Sequence, residues 1–301
     1  MADRRLQVFH AAAKHLSFTK AAEALFMTQP AVTFQIKQLE EHFNTRLFER
    51  GHGRIALTPA GDIVLEYAER ILGLSAELDT RLKEMTGQVG GPLLVGASLT
   101  VAEFLMPRVL GEFKSQYPKV QPRLVVANSE TVENRVAEHT LDLGFVEAPS
   151  RLAALTSEVC AEDELQALCA PGHPLARLKS ASAKQLAPHA YISRESGSGT
   201  REVTDQYFKK HGVKPEQLDM IMELGSLEAI KGLVSTGMGF AVMSRATVAK
   251  EVALGHLVAV PLAPRLMRPL SVVYPRERFR SRLVDTFIEF SRSRLRAATE
   301  R

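Results

Sequence analysis

The chain is most tightly constrained by the run Ser17-Phe18-Thr19-Lys20-Ala21-Ala22-Glu23-Ala24-Leu25 and its continuation, Thr28-Gln29-Pro30-Ala31-Val32-Thr33-Phe34-Gln35-Ile36-Lys37. A short apolar helix, a tight turn and a second amphipathic helix must succeed one another here with no room for anything else. That is the spacing of a helix-turn-helix, a unit that lays its second helix in the major groove of DNA. The rest of the chain is then to be understood as the load that a DNA reader carries.

A helix over residues 4–16, with Leu6, Val8, Phe9, Ala12, Ala13 and Leu16 on its apolar side, precedes this pair. Ser17 and Thr19 both qualify as N-caps of the second helix, about 19–25. Thr28 can cap the third, where Pro30 falls in the first turn and loses little by lacking an N–H. At 100° per residue, Val32, Ile36, Leu39 and Phe43 share one face of that third helix and are expected to pack inward. The opposite face carries Pro30, Phe34 and Lys37, with Thr33 at its edge. An outward Phe34 has no folding role and is costly to expose unless something covers it.

Two short apolar runs around Gly51-His52-Gly53 read as a β-hairpin wing, with Arg50, His52 and Arg54 at its tip. Thr58-Pro59 then opens a long helix, and Asp62 suits its N-terminal dipole. Tyr67, Ile71, Leu74, Leu78, Leu82 and Met85 recur along it at steps of four and three. The small head can cover only the first turns of that seam, so the rest predicts a helix–helix contact with a second copy. Residues 1–58 sum to +3 and residues 59–90 to −3. A basic head joined to an acidic stem fits a head that meets phosphates and a stem that does not.

Gly87-Gln88-Val89-Gly90-Gly91-Pro92 is the clearest domain boundary. Strands and helices alternate beyond it: strands at 93–98, 123–128, 142–146, 164–170, 191–193, 220–224, 240–244 and 270–274, and helices at 101–116, 131–138, 200–211, 226–236 and 281–296. This is α/β material in two lobes, about 92–161 plus 266–301 and 162–265. The chain crosses between them twice, so a cleft should lie between. The domains expected are therefore a winged helix-turn-helix head (1–58), a linker helix and hinge (59–91) and a ligand-binding part (92–301). A chain of 301 residues has length for two or three such units.

Two segments of the α/β part could hold a small anion. Ser98-Leu99-Thr100 ends a strand just before a helix. Ser196-Gly197-Ser198-Gly199-Thr200-Arg201 is a glycine-rich turn that opens another. Helix N-termini present free N–H groups and a positive dipole end, and ligands of α/β sheets sit at the carboxyl ends of strands. Asn128 and Ser226 end further strands and could face the same cleft. Against this, Ser and Thr before a helix often serve only as N-caps. The glycine turn lacks the spacing of a phosphate-transfer loop.

Other classes of function find less support. No His-Glu-x-x-His or Gly-x-Ser-x-Gly occurs, and the nine His are scattered with none at metal-ligand spacing, so neither an enzyme, a metal site nor a cofactor is expected. The two cysteines, Cys160 and Cys169, exclude a disulfide scaffold. They leave open a redox pair, although two buried structural thiols are the simpler reading. A transport-type solute-binding protein would not carry the DNA head. The N-terminus leads into a charged amphipathic helix rather than an apolar signal core, and no apolar run is long enough to span a membrane, so the cytoplasm is the expected location.

The run Ala21–Thr33, with Leu47-Phe48-Glu49-Arg50, Leu57-Thr58-Pro59-Ala60-Gly61 and the two-lobed α/β part, resembles the LysR-type transcriptional regulators over the whole chain. Gln29–Ile36 and Gly197–Arg201 look most like the branch that controls carbon-fixation and cysteine operons. The resemblance implies a multi-domain fold: a winged helix-turn-helix head, a linker helix and an effector domain similar to periplasmic solute-binding proteins. It implies double-stranded DNA, a small anionic metabolite and RNA polymerase as partners, and a homotetramer built as a dimer of dimers. The family's base-reading positions fall on Gln29, Pro30, Thr33 and Phe34. At Phe34 many members have Arg or His, and a Phe can pack on a thymine methyl but cannot hydrogen-bond a base edge. Arg50 and Arg54 match wing positions near the minor groove, and Lys20 and Lys37 are expected at phosphates. The inducer positions fall on Ser98, Thr100, Asn128 and Thr200, with Phe145 and Val146 as walls.

Overall fold

The computed structural model describes residues 3–51, 54–84, 89–148, 150, 152–276 and 280–299. It divides into two compact units, Met1–Gln88 and Val89–Arg301.

In the first unit, α1 (Arg4–His15), α2 (Phe18–Ala24) and α3 (Gln29–Phe43) are succeeded by the antiparallel pair β1 (Phe48–Gly51) and β2 (Arg54–Leu57), then α4 (Pro59–Glu84). Of the two candidate caps, Ser17 takes the role at α2, accepting from the Lys20 N–H at 3.3 Å, and Thr28 caps α3 by accepting from the Ala31 N–H. Val8, Phe9, Ala12, Val32, Ile36, Leu39, Leu47 and Phe48 form the core. Leu16 and Phe43, both expected inward, are exposed. Each lies where its helix runs out: Leu16 is the left-handed C-cap of α1, and Phe43 is the last residue of α3 before left-handed Asn44. The wing is fixed from α3. The Glu40 carboxylate accepts from the backbone N–H groups of Leu47 and Phe48 at 2.8 and 3.3 Å. Gly61 is required at the start of α4, because a Cβ there would run into the Leu47 carbonyl oxygen.

On α4, Ala60, Val64, Leu65 and Ala68 pack on the head. Tyr67, Ile71, Leu74, Leu78 and Leu82, joined by Ile63, are exposed along the helix. Met85, the end of the expected seam, lies outside the described residues.

The second unit contains β3 (Gly91–Ser98), α5 (Leu99–Phe104), α6 (Met106–Gln116), β4 (Val120–Ala127), α7 (Ser129–Ala137), β5 (Leu143–Val146), β6 (Leu155–Cys169), α8 (Ala183–Leu186), β7 (Tyr191–Arg194), α9 (Gly199–Lys210), β8 (Met220–Leu224), α10 (Leu227–Ser235), β9 (Ala241–Ser244), α11 (Arg245–Ala253), β10 (Val258–Pro275) and α12 (Arg282–Thr299). Strands β4-β3-β5-β10-β6-β9 form one six-stranded sheet, and β7 pairs with β8. The single helix expected over 101–116 is two, broken at Leu105 ahead of Pro107, whose ring cannot continue an α-helix from the preceding turn. The crossing between lobes is also heavier than expected. It is made by β6 and β10, two long strands paired antiparallel through both lobes with register shifts between Pro261 and Leu266 and between Leu270 and Ser271. Residues 93–161 and 270–295 supply the core on one side of the crossing, and residues 165–262 the core on the other.

Cys160 and Cys169 are both buried on β6. Nine residues of strand separate them by about 30 Å, far beyond disulfide reach. Burial raises both thiols, Cys169 to about 11. The redox pair left open by the sequence is thereby excluded.

Candidate functional site

On the head, α3 presents Gln29, Pro30, Phe34 and Lys37 to solvent, with Thr33 half-buried between them. Phe34 is 57% exposed. Gln29 and Thr33 brace each other: the Gln29 amide donates to the Thr33 hydroxyl at 3.1 Å, and that hydroxyl donates to the Gln29 carbonyl. Lys37 lies 3.6 Å from Glu41, both in the open, and Lys20 is exposed on α2. Arg50 and Arg54 are placed on β1 and β2 in register with Ile55 and Gly51, but their side chains, with His52, lie outside the described residues. The sequence reading missed Phe26. It occupies the turn before α3 in left-handed backbone at φ 53° and is 99% exposed. An aromatic residue in that conformation is uncommon and would have been hard to foresee from pattern alone.

In the second unit, helices start directly from strand ends at Ser98, Asn128 and Ser244, two residues past a strand end at Ser226, and after a four-residue turn at Ser198. Three of these side chains do what an N-cap does: Asn128, Ser226 and Ser244 accept from backbone N–H groups of the first turn. Ser98 and Ser198 do not cap. The Ser98 hydroxyl donates instead to Glu147 at 3.1 Å, and the buried Ser198 hydroxyl has no partner among the described residues. Two serines at helix starts that are withheld from capping mark a site better than the serines themselves do.

Between them lies a buried cluster whose charged members the sequence reading missed. Arg268 is 0% exposed and stands directly across from Asp163 at the crossing of β10 and β6. Its Nε and Nη2 hold Asp163 at 2.8 and 2.7 Å; its Nη1 holds Glu147 and the Thr200 hydroxyl, each at 2.7 Å; and Nη2 reaches Thr100. Glu147, 1% exposed, also accepts from the Thr200 N–H at 3.1 Å and the Thr200 hydroxyl at 2.7 Å. Ser244 donates to the other oxygen of Asp163 at 2.7 Å. Burial alone would raise the Glu147 carboxyl, but the Arg268 charge, the Thr100 and Thr200 hydroxyls and the Arg194 charge overcome it and hold the group at about 2. Arg194 is itself buried. Its Nε and Nη2 bind Glu195, while its Nη1 has no partner among the described residues.

The structure thus brings Ser98, Thr100 and Thr200 into one network. Asn128 joins the same seam by donating to the Ser196 carbonyl at 3.1 Å, beside a Glu130 N–H bond to the Gly197 carbonyl. Gly197 has φ 80°, and a Cβ there would strike Glu130 and Asn128. Ser226 only caps α10 in the bonds described. Phe145 and Val146, expected as walls, are core residues instead. Phe145 packs edge-on to Phe287, and Val146 joins Val132, Val136 and Val273. The cleft-facing group of that strand end is the next residue, Glu147. No group of His, Cys, Asp and Glu among the described residues could hold a metal ion, and no helix among them is long and apolar enough to cross a membrane.

Residues 4–62 match the bacterial regulatory helix-turn-helix protein model of the lysR family, and residues 86–296 match the LysR substrate binding domain. The chain is 36% identical over 288 residues to a probable RuBisCO transcriptional regulator of Porphyra purpurea, covering 94% of this chain and 90% of that one. It is 35% identical over 288 residues to one of Synechocystis, covering 94% and 84%. Among solved structures, a full-length OxyR variant from Pseudomonas aeruginosa superposes with TM-score 0.74 at 21% identity over 100% of this chain and 97% of that one, a likeness of fold. The Synechocystis CcmR regulatory domain in complex with 2-PG superposes with TM-score 0.62 at 30% identity over 68% of this chain and 98% of that domain. The fold, the two matched domains and these relatives together make the chain a member of the LysR-type transcriptional regulators, DNA-binding proteins with an effector-binding domain and not enzymes.

Proposed function

We propose that this regulator's grip on DNA is set by a small anion held between the two lobes of its effector-binding unit, and that its target genes serve carbon fixation. The observation that carries the reading is the convergence of unspent donors on the start of α9. The Ser198 hydroxyl and Arg194 Nη1 are buried without partners among the described residues, next to the Thr200 N–H at the positive end of a helix dipole. Ser98, Thr100, Asn128, Ser196 and Thr200 line the same seam and are the contacts proposed for the effector. The 2-PG held by the CcmR domain and the names of the curated relatives support the ligand class and the gene class. Closing of the lobes on the anion changes how paired heads meet the DNA. The exposed Ile63–Leu82 seam of α4 is the proposed dimer contact, and two dimers make the tetramer. DNase footprints of a RuBisCO-operon promoter, taken with and without 2-PG and sugar phosphates, should change in extent or in hypersensitive bands. A footprint indifferent to every anion sinks the reading.

On the head, Gln29, Pro30, Thr33 and Phe34 are proposed to read bases, and Lys20, Lys37, Arg50 and Arg54 to meet the backbone and minor groove. Phe34→Ala should weaken specific binding by about 1–3 kcal/mol, through a lost thymine-methyl contact, and leave binding to random DNA nearly unchanged. Lys37→Ala should instead lower the salt dependence of both by about one phosphate contact. Gel-shift titrations at several salt concentrations measure each; an equal loss on random DNA for Phe34→Ala counts against base readout.

A further inference from the structure

The anion cradle at the start of α9 already contains an anion, and it belongs to the protein. Every bond that Glu147 makes is one a free carboxylate or phosphate would make there. Arg268 and the Thr200 N–H donate to it, the Thr200 hydroxyl donates, and Ser98 donates to its second oxygen. Those donors come from both lobes, with Ser98 at the end of β3 and Thr200 in α9, so one side chain latches the cleft. We propose that Glu147 is a tethered anion: its carboxylate stands where an effector's acidic group goes, holds the unliganded lobes together, and is exchanged for that group on binding. The proposal rests on the reading that an anionic effector enters this cleft.

Charge balance favours exchange over addition. Arg268 already faces two carboxylates, Glu147 and Asp163. A third negative group added to the intact cluster would be repelled in a site that excludes water. Replacing Glu147 keeps the number constant. Asp163 is the wrong residue to leave. It is the cross-strand neighbour of Arg268, bonded through both Nε and Nη2, and Ser244 holds its other oxygen. Glu147 sits just past the end of β5, where no strand partner fixes it. A displaced Glu147 carboxylate does not lose all counter-charge, because the buried Arg194 already acts on it electrostatically. Gly199 completes the fit, because a Cβ there would press on Ser129 and on the Glu147 side chain at 2.9 Å.

The test uses the full-length protein as wild type, Glu147→Ala and Glu147→Gln. Sodium acetate and inorganic phosphate are the probes, with sodium chloride at matched ionic strength as control. Thermal unfolding and calorimetric titration are the readouts. Glu147→Ala should melt lower than wild type and be restored saturably by acetate, at concentrations that leave wild type unmoved. Both variants should bind inorganic phosphate at least about tenfold more tightly than wild type, since the tethered competitor is gone. Glu147→Gln keeps the volume, so it carries the test if the alanine variant does not fold. Phosphate affinities equal to or weaker than wild type in both variants overturn the proposal, even if wild-type footprints respond to an anion. Acetate uptake by Glu147→Ala with footprints that no anion alters would uphold the tethered carboxylate and discard the effector reading instead.

Discussion

Arg268→Met should cost the effector-binding unit about 3–5 kcal/mol at pH 7, the penalty of leaving buried carboxylates without their counter-charge. Arg268 is wholly inaccessible, and all three of its guanidinium nitrogens are bonded. Methionine fills much of the volume but strands Glu147 and Asp163 beside each other in a place water does not reach. The loss should depend on pH in a stated direction. In wild type the folded Glu147 carboxyl sits at about 2, below its ordinary 4.5. Its contribution is therefore intact above pH 4.5 and fades only as pH falls from there toward 2. Without Arg268 the same carboxyl is pushed above its ordinary range by burial, so the folded variant takes up protons that its unfolded chain does not, and gains stability as pH falls from 7 toward 5. The gap between the two proteins should narrow over that window. Urea unfolding at pH 7 and pH 5 measures it, and adding Glu147→Gln to the variant should recover part of the loss. A loss under about 1 kcal/mol at pH 7 would mean that water or a neighbour replaces the guanidinium.

The head was legible because everything that shapes it is local. Ser17 and Thr28 announce two helix starts within one turn of the residues they cap, and Val32, Ile36 and Leu39 announce a face. What failed there lay at helix ends, where Leu16 and Phe43 keep the period but stay exposed because the helix runs out. The cleft was legible by half. Strand ends and helix starts rich in Ser, Thr and Asn singled out Ser98, Thr100, Asn128 and Thr200, which the fold gathers along one seam, because strand-to-helix turns put such residues on one edge. Glu147, Asp163 and Arg268 were not found. Glu147 follows the apolar pair Phe145-Val146, Arg268 stands two residues before the run Leu270-Ser271-Val272-Val273, and Asp163 is the middle of the acidic run Glu162-Asp163-Glu164. A charge set in a buried strand demands a partner, and that demand was the available signal. The partners, however, lie more than 100 residues apart in the chain, and no periodicity carries pairing over that distance. The same holds for the crossing strands: β6 and β10 alternate too weakly to reveal their length, and only their mutual register exposes it.

Phe9→Ala should destabilise the head by about 3–5 kcal/mol and take DNA binding down with it. Phe9 is fully buried on α1, and its ring lies 5.4 Å from that of Phe48, which in turn meets Phe18 edge-on at 5.3 Å. Phe48 is the first residue of the wing, and its N–H is held by Glu40 of α3. One aromatic stack therefore sets the spacing between α1, α2 and the wing, while Glu40 sets that between the wing and α3. A hole at Phe9 frees the first and strains the second. The expected signature differs from that of Phe34→Ala, which removes an exposed ring and should leave folding alone. Phe9→Ala should lower specific and random DNA binding together, with a lower melting temperature by circular dichroism. Unchanged melting with selective loss of specific binding would place Phe9 in recognition instead of in the frame. Base-reading residues on α3 can act only if the wing and the recognition helix are held at one spacing, and in this head that frame rests on Glu40 and on the stack of Phe9, Phe48 and Phe18.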